Sequence, residues 1–175
     1  MVKNELNNTG FSLVELIIVI AIMAILSAAL APQLMKYIEK SRISTDAQTC
    51  QSIKTCVNTS LTNDAVWIDV AHNWRSGKDL YFYVKRDEAS GDIFFKGIAT
   101  NGNFRRELKP MLSNLQNPKQ VGMNSYKVHI KLATDTKLDE AGNDLGTTYT
   151  VKEITVTTSN YDFSDDTQHI FSTEP

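Results

Sequence analysis

Residues 11–31 form a run of 21 residues in which Glu15 is the only charged side chain. As an α-helix this run is about 32 Å long, close to the roughly 30 Å hydrocarbon core of a bilayer. A carboxylate at the centre of a membrane helix costs about 2.5–3.5 kcal/mol, so such acids mark functional sites. The twelve Leu, Ile, Val and Phe residues of the run together contribute about −4 to −7 kcal/mol to insertion. The run is therefore predicted to enter a membrane despite Glu15.

The remainder of the chain has room for one soluble domain of about 110 residues. For the whole chain, a hydrophobic content of 42% and a charged content of 22% are ordinary for a protein with a folded domain. A net charge of −2 lacks the basic excess of a nucleic-acid binder, so no nucleic-acid partner is predicted. Cys50 and Cys56 lie about 9 Å apart along a predicted helix, too far for a disulfide, and are predicted to be small buried residues.

Three interpretations of the apolar run compete. A secretory signal peptide would end at the small residues 29–31, but the run exceeds the usual 7–15 residues, contains an acid and would leave Pro32 beside the cut. If the run is a plain single-span anchor, Glu15 lies near the membrane interface and has no specific role. A third interpretation depends on the residues that surround Glu15.

The sequence GFSLVEL, from Gly10 to Leu16, resembles the amino-terminal signature of the type IV pilin and pseudopilin family. In that family a short polar leader ends in Gly, the mature chain usually begins with Phe, and its fifth residue is Glu. The resemblance implies a leader at residues 1–10, cleavage by a prepilin peptidase between Gly10 and Phe11, and N-methylation of Phe11. It also implies an assembly platform and its ATPase as partners, and it places Pro32 where the family has a helix-bending proline. The leader departs from the pattern because it has a single basic residue, Lys3.

Cleavage after Gly10 would free the α-amino group of Phe11, whose pKa is ordinarily about 7.7–8.0. A new subunit's amine could then meet the Glu15 carboxylate of an incorporated neighbour where water is scarce, and each charge would compensate the other. Because each chain's amine meets the next chain's acid, the interface need not close, and repetition gives an open helical filament. Phe11 and Glu15 are therefore the predicted assembly residues of a homo-oligomer.

The helical pattern resumes after Pro32 and fades near residues 59–64. Apolar residues recur there at spacings of three and four, at Ile43, Ala47, Cys50, Ile53, Val57 and Leu61. Asp46 is placed among the polar residues of the opposite face. The prediction is one helix over about residues 11–61, bent near Pro32, with a membrane-spanning segment at 11–31 and an amphipathic continuation at 32–63.

Residues 64–175 are predicted to form an extracellular α+β head domain. Strand patterns lie at 80–84, 93–95, 126–132 and 149–156, with a hairpin turn at 87–92 and a bulge at Lys152–Glu153. Residues 104–116 have helical spacing that Pro110 splits. A small, mainly antiparallel sheet is expected to cover the second half of the long helix. The acidic and polar tail from Tyr161 is expected either to cover a sheet edge or to be mobile.

The head domain carries no recognisable catalytic motif, so the chain is predicted not to be an enzyme. His129 shares a strand face with lysines and is expected to face solvent. One acidic cluster around Gly142 would suit calcium, at Asp135, Asp139, Glu140, Asn143 and Asp144. Its spacing does not match an EF-hand, and such residues also form solvated hairpin loops. No cofactor or metal is predicted.

The sequence thus predicts a structural subunit of a type IV pilus. The precursor would cross the inner, or cytoplasmic, membrane once, and the mature chain would join an extracellular pilus on the cell surface. The alternative is a pseudopilin of a type II secretion or DNA-uptake system, which shares the same signature. A more distant alternative is a secreted or anchored enzyme, whose active site would lie within residues 64–175.

Overall fold

The structure, a computed structural model, describes residues 11–73, 80–98, 102–138, 140–142, 144–161 and 163. In chain order the elements are α1 (Leu13–Ser60), α2 (Asp64–Asn73), β1 (Leu80–Arg86), β2 (Ile93–Lys96), α3 (Asn103–Met111), β3 (Ser125–Leu138) and β4 (Asp144–Ser159). A long helix and a small antiparallel sheet confirm the predicted α+β class. The predicted leader, including Gly10, lies outside the described residues.

The chain divides into two compact units, residues 1–41 and 42–175. Within the first unit α1 continues through Pro32 without a break. Proline has no backbone N–H, so the carbonyl of Ala28, four residues earlier, loses its usual helical partner. The helix predicted for residues 11–61 is confirmed, whereas the bend at Pro32 stays a prediction.

The second unit contains a four-stranded sheet in the order β2-β1-β3-β4, with every neighbouring pair antiparallel. The predicted turn between β1 and β2 is confirmed. The Asp87 carboxylate accepts hydrogen bonds from the Ser90 backbone N–H at 2.9 Å and from the Ser90 hydroxyl at 2.7 Å. These bonds lower the pKa of Asp87 below its ordinary value.

Strands β3 and β4 form one long hairpin. Lys131 pairs with Glu153 and Leu132 with Val151, so Lys152 is an extra residue, and the predicted bulge is confirmed. In the described part of the chain, β1 pairs with β3 only as far as Ile130. Beyond that residue the hairpin continues as a two-stranded ribbon.

In the part of the chain that the structure describes, an apolar core lies between the inner face of the sheet and the helices. Alternate strand residues contribute to it, because successive side chains point to opposite faces. The buried apolar residues of the strands are Leu80, Phe82, Val84, Ile93, Phe95, Tyr126, Val128, Ile130 and Ile154. The helices and the segments beside them add Ile53, Val57, Val66, Val70, Ile98, Phe104, Leu108, Leu112 and Leu115.

The buried side of α1 differs from the predicted stripe. Ile43 is 48% exposed and Ala47 is also exposed, so the prediction was wrong for both. The helix instead buries Asp46, Ile53, Val57 and Ser60. These positions share one helical face, but its first member is a carboxylate, which a search for apolar side chains excludes.

Helix α2 is absent from the sequence-based prediction. Asn63 caps it: the Asn63 side-chain oxygen accepts the backbone N–H of Ala65 at 3.0 Å, and its backbone carbonyl accepts that of Trp67 at 2.9 Å. Val66 and Val70, four residues apart, are buried. An Asn before an apolar pair at helical spacing is the signal that was missed.

Helix α3 ends earlier than the pattern over 104–116 suggested. Pro110 lies within its last turn, and the helix stops at Met111. Leu112 and Leu115 remain buried beyond it. Buried apolar residues at helical spacing therefore continue beyond the end of the helix.

Gly97 permits the close approach of the segment after β2 to strand β1. Its φ is +99°, and a Cβ there would lie 2.8 Å from the Tyr81 carbonyl oxygen and 3.1 Å from the Phe82 Cα.

We expect Gly97→Ala to lower the unfolding free energy of the head by about 2–4 kcal/mol. The strain of a left-handed backbone and the clash of the added carbon with β1 both contribute to this loss. Gly122→Ala is the matched control: φ is +82° with nothing within 4 Å of the added carbon. Equal losses of unfolding free energy in the two variants would contradict the clash.

Candidate functional site

The first described part of α1 exposes an apolar surface all round. In the described part of the chain, α1 is the one helix that is long and apolar enough to cross a membrane. No residue in its most apolar 18-residue stretch is buried. The exposed residues include Leu13, Ile17, Ile20 and Leu26. An apolar surface this large requires lipid or other helices to cover it.

Glu15 lies in the first turn of this helix. The Ser12 backbone N–H donates to the Glu15 carboxylate at 2.9 Å, and the Ser12 carbonyl accepts from the Leu16 N–H at 3.2 Å. Ser12 thus occupies the position before the helix, and a Glu three residues later completes the spacing of a capping box. This local role was not predicted from the sequence, although Ser-x-x-Glu is its usual signal.

The other residues of the predicted processing and assembly site are placed as follows. Phe11 is 87% exposed and lies immediately before the capping residue Ser12. Gly10, on the other side of the predicted cleavage bond, is outside the described residues. Pro32 lies inside α1, on an exposed part of the helix. Their roles in cleavage, methylation, pairing and bending remain predictions.

The role of Asp46 was likewise not predicted from the sequence. Its side chain is 1% exposed, and its two carboxylate oxygens accept the backbone N–H groups of Lys119 at 2.8 Å and Gln120 at 3.0 Å. Hydrogen bonds to an ionised acceptor are stronger than neutral ones. Asp46 therefore fastens the loop after α3 to the long helix.

The same loop is fastened to the sheet by Asn117. Its side-chain oxygen accepts the Arg86 backbone N–H at 2.8 Å, and its amide nitrogen donates to the Arg86 carbonyl at 2.8 Å. The Arg86 guanidinium donates to the Ser113 carbonyl at 3.1 Å. Asp46 and Asn117 thus hold one irregular loop at both the helix and the end of β1.

The two cysteines are free and partly buried. Burial raises the pKa of the Cys50 thiol to about 11, and the nearby Asp46 carboxylate adds to this rise. Burial also raises the pKa of Cys56. Two free thiols agree with the prediction that these cysteines form no disulfide, but both are partly buried where full burial was predicted.

The raised pKa makes Cys50 a poor nucleophile. In a Cys56→Ser chain we expect Cys50 to react with iodoacetamide at pH 8 about 100-fold more slowly than an unperturbed thiol, because the thiolate is the reactive form. The rate should rise tenfold for each pH unit until the pH approaches the pKa. Mass spectrometry of quenched samples measures the rate, with a denatured sample as the unperturbed reference. Similar rates before and after denaturation would contradict the expectation.

The described residues contain no group of three or more His, Cys, Asp or Glu side chains that could hold a metal ion. Asp135 and Glu140 of the acidic cluster are exposed. Asp139 and Asn143 lie outside the described residues. His129 lies on the sheet face opposite the core, but it is half-buried rather than facing solvent, because its ring stacks on that of Tyr81 at 4.3 Å between centroids.

Comparison with known proteins places the amino-terminal helix in a recognised class. The family described as "Prokaryotic N-terminal methylation motif" matches residues 6–31, which include Phe11 and Glu15. The chain is also similar to "Prepilin peptidase-dependent protein A" of Clostridium perfringens (strain 13 / Type A), with 30% identity over 122 residues, 70% of this chain and 77% of the relative. No solved structure matches it.

The chain belongs to the type IV pilin and pseudopilin family. The family is structural rather than enzymatic. The amino-terminal motif and the exposed apolar helix are consistent with a membrane-anchored precursor.

Proposed function

We propose that this chain is the structural subunit of a type IV pilus. A prepilin peptidase would cleave the membrane-anchored precursor after Gly10, the new terminus at Phe11 would be methylated, and the subunits would polymerise through α1. The observation that carries the proposal is an apolar helix, exposed on every side, with a single carboxylate in its first turn. The similarity to a prepilin peptidase-dependent protein supports the processing step.

After cleavage, Glu15 would be able to pair with a group of a neighbouring chain. A carboxylate has two oxygens with several acceptor sites, so the bond to the Ser12 N–H leaves capacity for a second donor. The terminal amine of a neighbour's Phe11 would supply that donor with a positive charge. At about 4 Å, such a pair gains several kcal/mol before desolvation at an effective dielectric near 20.

The pair would chiefly fix the axial register of the subunits. Apolar helices can slide past each other with little change in buried area, because their surfaces are similar along their length. A shifted register would bury one ammonium and one carboxylate without partners, which is strongly unfavourable. Subunit addition would therefore favour the one offset that pairs Phe11 with Glu15.

Processing and assembly can be tested together. The full precursor is produced with a prepilin peptidase and its assembly platform, and the mature chain is sequenced from its amino terminus. A terminus at Phe11 together with sheared surface filaments of this chain supports the proposal. A terminus at Pro32 would instead indicate a signal peptide, and processing at Phe11 without surface filaments would indicate a pseudopilin.

A further inference from the structure

Strand β4 forms one edge of the sheet. In the order β2-β1-β3-β4, it pairs with β3 on one side. In the described part of the chain, no strand pairs with its other side. Beyond the bulge at Lys152, residues 153–159 therefore have alternate backbone N–H and C=O groups without a strand partner. We call residues 153–159 the β4 edge.

The β4 edge carries few of the features that prevent strands from pairing. Edge strands are usually protected by charged side chains, proline, bulges or short length. The opposite edge strand, β2, has only four residues. On β4, the bulge and the charged residues Lys152 and Glu153 lie together at one end. From Ile154 to Thr158 every residue is β-branched and uncharged, a composition that favours pairing with another strand.

A groove of about 510 Å³ runs beside the β4 edge. Residues 153–158 line it on the strand side, and Ile43, Ala47 and Cys50 of α1 are among the residues that line it on the helix side. Six strand residues extend about 20 Å. A further strand along the β4 edge would point alternate side chains towards α1. It would cover Ile43 and Ala47, which were predicted to be buried but are exposed in the single chain.

We propose that the β4 edge of a second copy of this chain occupies the groove. The stretch is self-complementary when two copies pair antiparallel about a two-fold axis at Val156. Thr155 then lies opposite Thr157 of the second copy, and Ile154 lies opposite its Thr158. No like charges face each other, and the side chains that face the core in one sheet stay on the same side in the other. A shift of one residue would turn them to the opposite side.

The two-fold symmetry determines where this contact forms. Both copies contribute the same surface, so the interface closes after two chains. All subunits of a helical filament built from one repeated head-to-tail contact point the same way, so the β4 pair joins chains of two different filaments. That location rests on the proposed function, whereas the pairing itself does not. Single contacts of this size are weak, but many repeated along two filaments act together.

Disulfide trapping of the full chain in detergent tests the pairing and its register. The two natural cysteines are replaced by alanine, and chains with Thr155→Cys and with Thr157→Cys are mixed equally and oxidised. Opposite residues of antiparallel strands have Cα atoms about 4.5–5.5 Å apart, which a disulfide can bridge, whereas diagonal neighbours are about 7–8 Å apart. We expect links between positions 155 and 157 to exceed their statistical share several-fold.

Phe94→Cys on the other edge strand, 42% exposed, is the control and should link at the background rate. Random linking among positions 155 and 157, or yields no higher than those of the control, would overturn the proposal. A benzophenone side chain at Thr157 identifies the occupant directly. Photo-linking to β4 of another chain supports the proposal, and linking only within one chain rejects it. These measurements need no filament, so their failure leaves the proposed function intact.

Charge complementation provides a second test. Thr155→Lys with Thr157→Lys places like charges opposite each other in a β4 pair, as does Thr155→Glu with Thr157→Glu. We expect each chain alone to associate several-fold more weakly than wild type, and an equal mixture of the two to regain association. Energy transfer between labelled full chains in detergent measures this. The same substitutions at Thr55 and Thr59, exposed on α1, are the control. If the control mixture gains as much, the β4 edge is not the contact.

Discussion

Chains with Glu15→Gln are expected to insert into the membrane and to lose their leader, yet to leave the cell surface without filaments. Glutamine keeps the shape of the side chain and can still accept the Ser12 N–H, since Gln also serves in capping boxes. It removes the negative charge that would pair with the amine of a neighbour's Phe11. We expect at least a tenfold loss of sheared filament by electron microscopy and immunoblotting, equivalent to about 1.4 kcal/mol or more of assembly free energy.

Ser12→Ala is the companion variant, because it changes the capping residue and leaves the charge of Glu15. Loss of a capping side chain costs a helix about 0.5–2 kcal/mol. Packing of the apolar helix surfaces against each other in a filament should outweigh this cost. The pairing hypothesis therefore predicts filaments from Ser12→Ala and none from Glu15→Gln. The reverse result would mean that assembly needs the Ser12 side chain and does not need the charge of Glu15.

The head domain is expected to lose about 2–6 kcal/mol of stability in Asp46→Ala. The substitution leaves the backbone N–H groups of Lys119 and Gln120 without their acceptors in a buried site, and each orphaned donor costs about 1–3 kcal/mol. We expect the melting temperature, followed by near-ultraviolet circular dichroism in detergent, to fall by about 10 °C or more.

Two further variants separate charge from hydrogen bonding at this position. Asp46→Asn keeps one acceptor oxygen and should lose about half as much stability as Asp46→Ala. Glu88→Gln makes the equivalent change on an exposed turn, where it should change the unfolding free energy by no more than about 0.5 kcal/mol. If Asp46→Ala unfolds at the same temperature as Glu88→Gln, the loop does not depend on the carboxylate.

The sequence predicted those parts of the molecule in which one signal dominates. An apolar run with Glu15 as its one charge defines the first part of α1, and strict alternation at Tyr126, Val128 and Ile130 defines the inner face of β3. Even the extra residue at Lys152 could be inferred from a break in alternation. The signature around Phe11 and Glu15 led to the family before any fold was known.

The remaining features depend on groups that pattern analysis treats as exposed. Asp46 is buried because the loop at Lys119 brings two backbone donors to it, and that loop is more than seventy residues away in sequence. Helix α2 is short, and its start depends on the side chain of Asn63. Such contacts are set by tertiary structure, whereas periodicity reports only whether a residue is apolar.

The bulge at Lys152 separates the part of the β3–β4 hairpin that pairs with β1 from the ribbon beyond it. Among the ribbon residues whose side chains are described, Leu132 and Val151, next to the bulge, pack against the core, so changes in length farther along the ribbon should leave the head folded. If the chain polymerises as proposed, a peptide inserted near Gly142 would be repeated once per subunit, and the filament would display it at regular spacing.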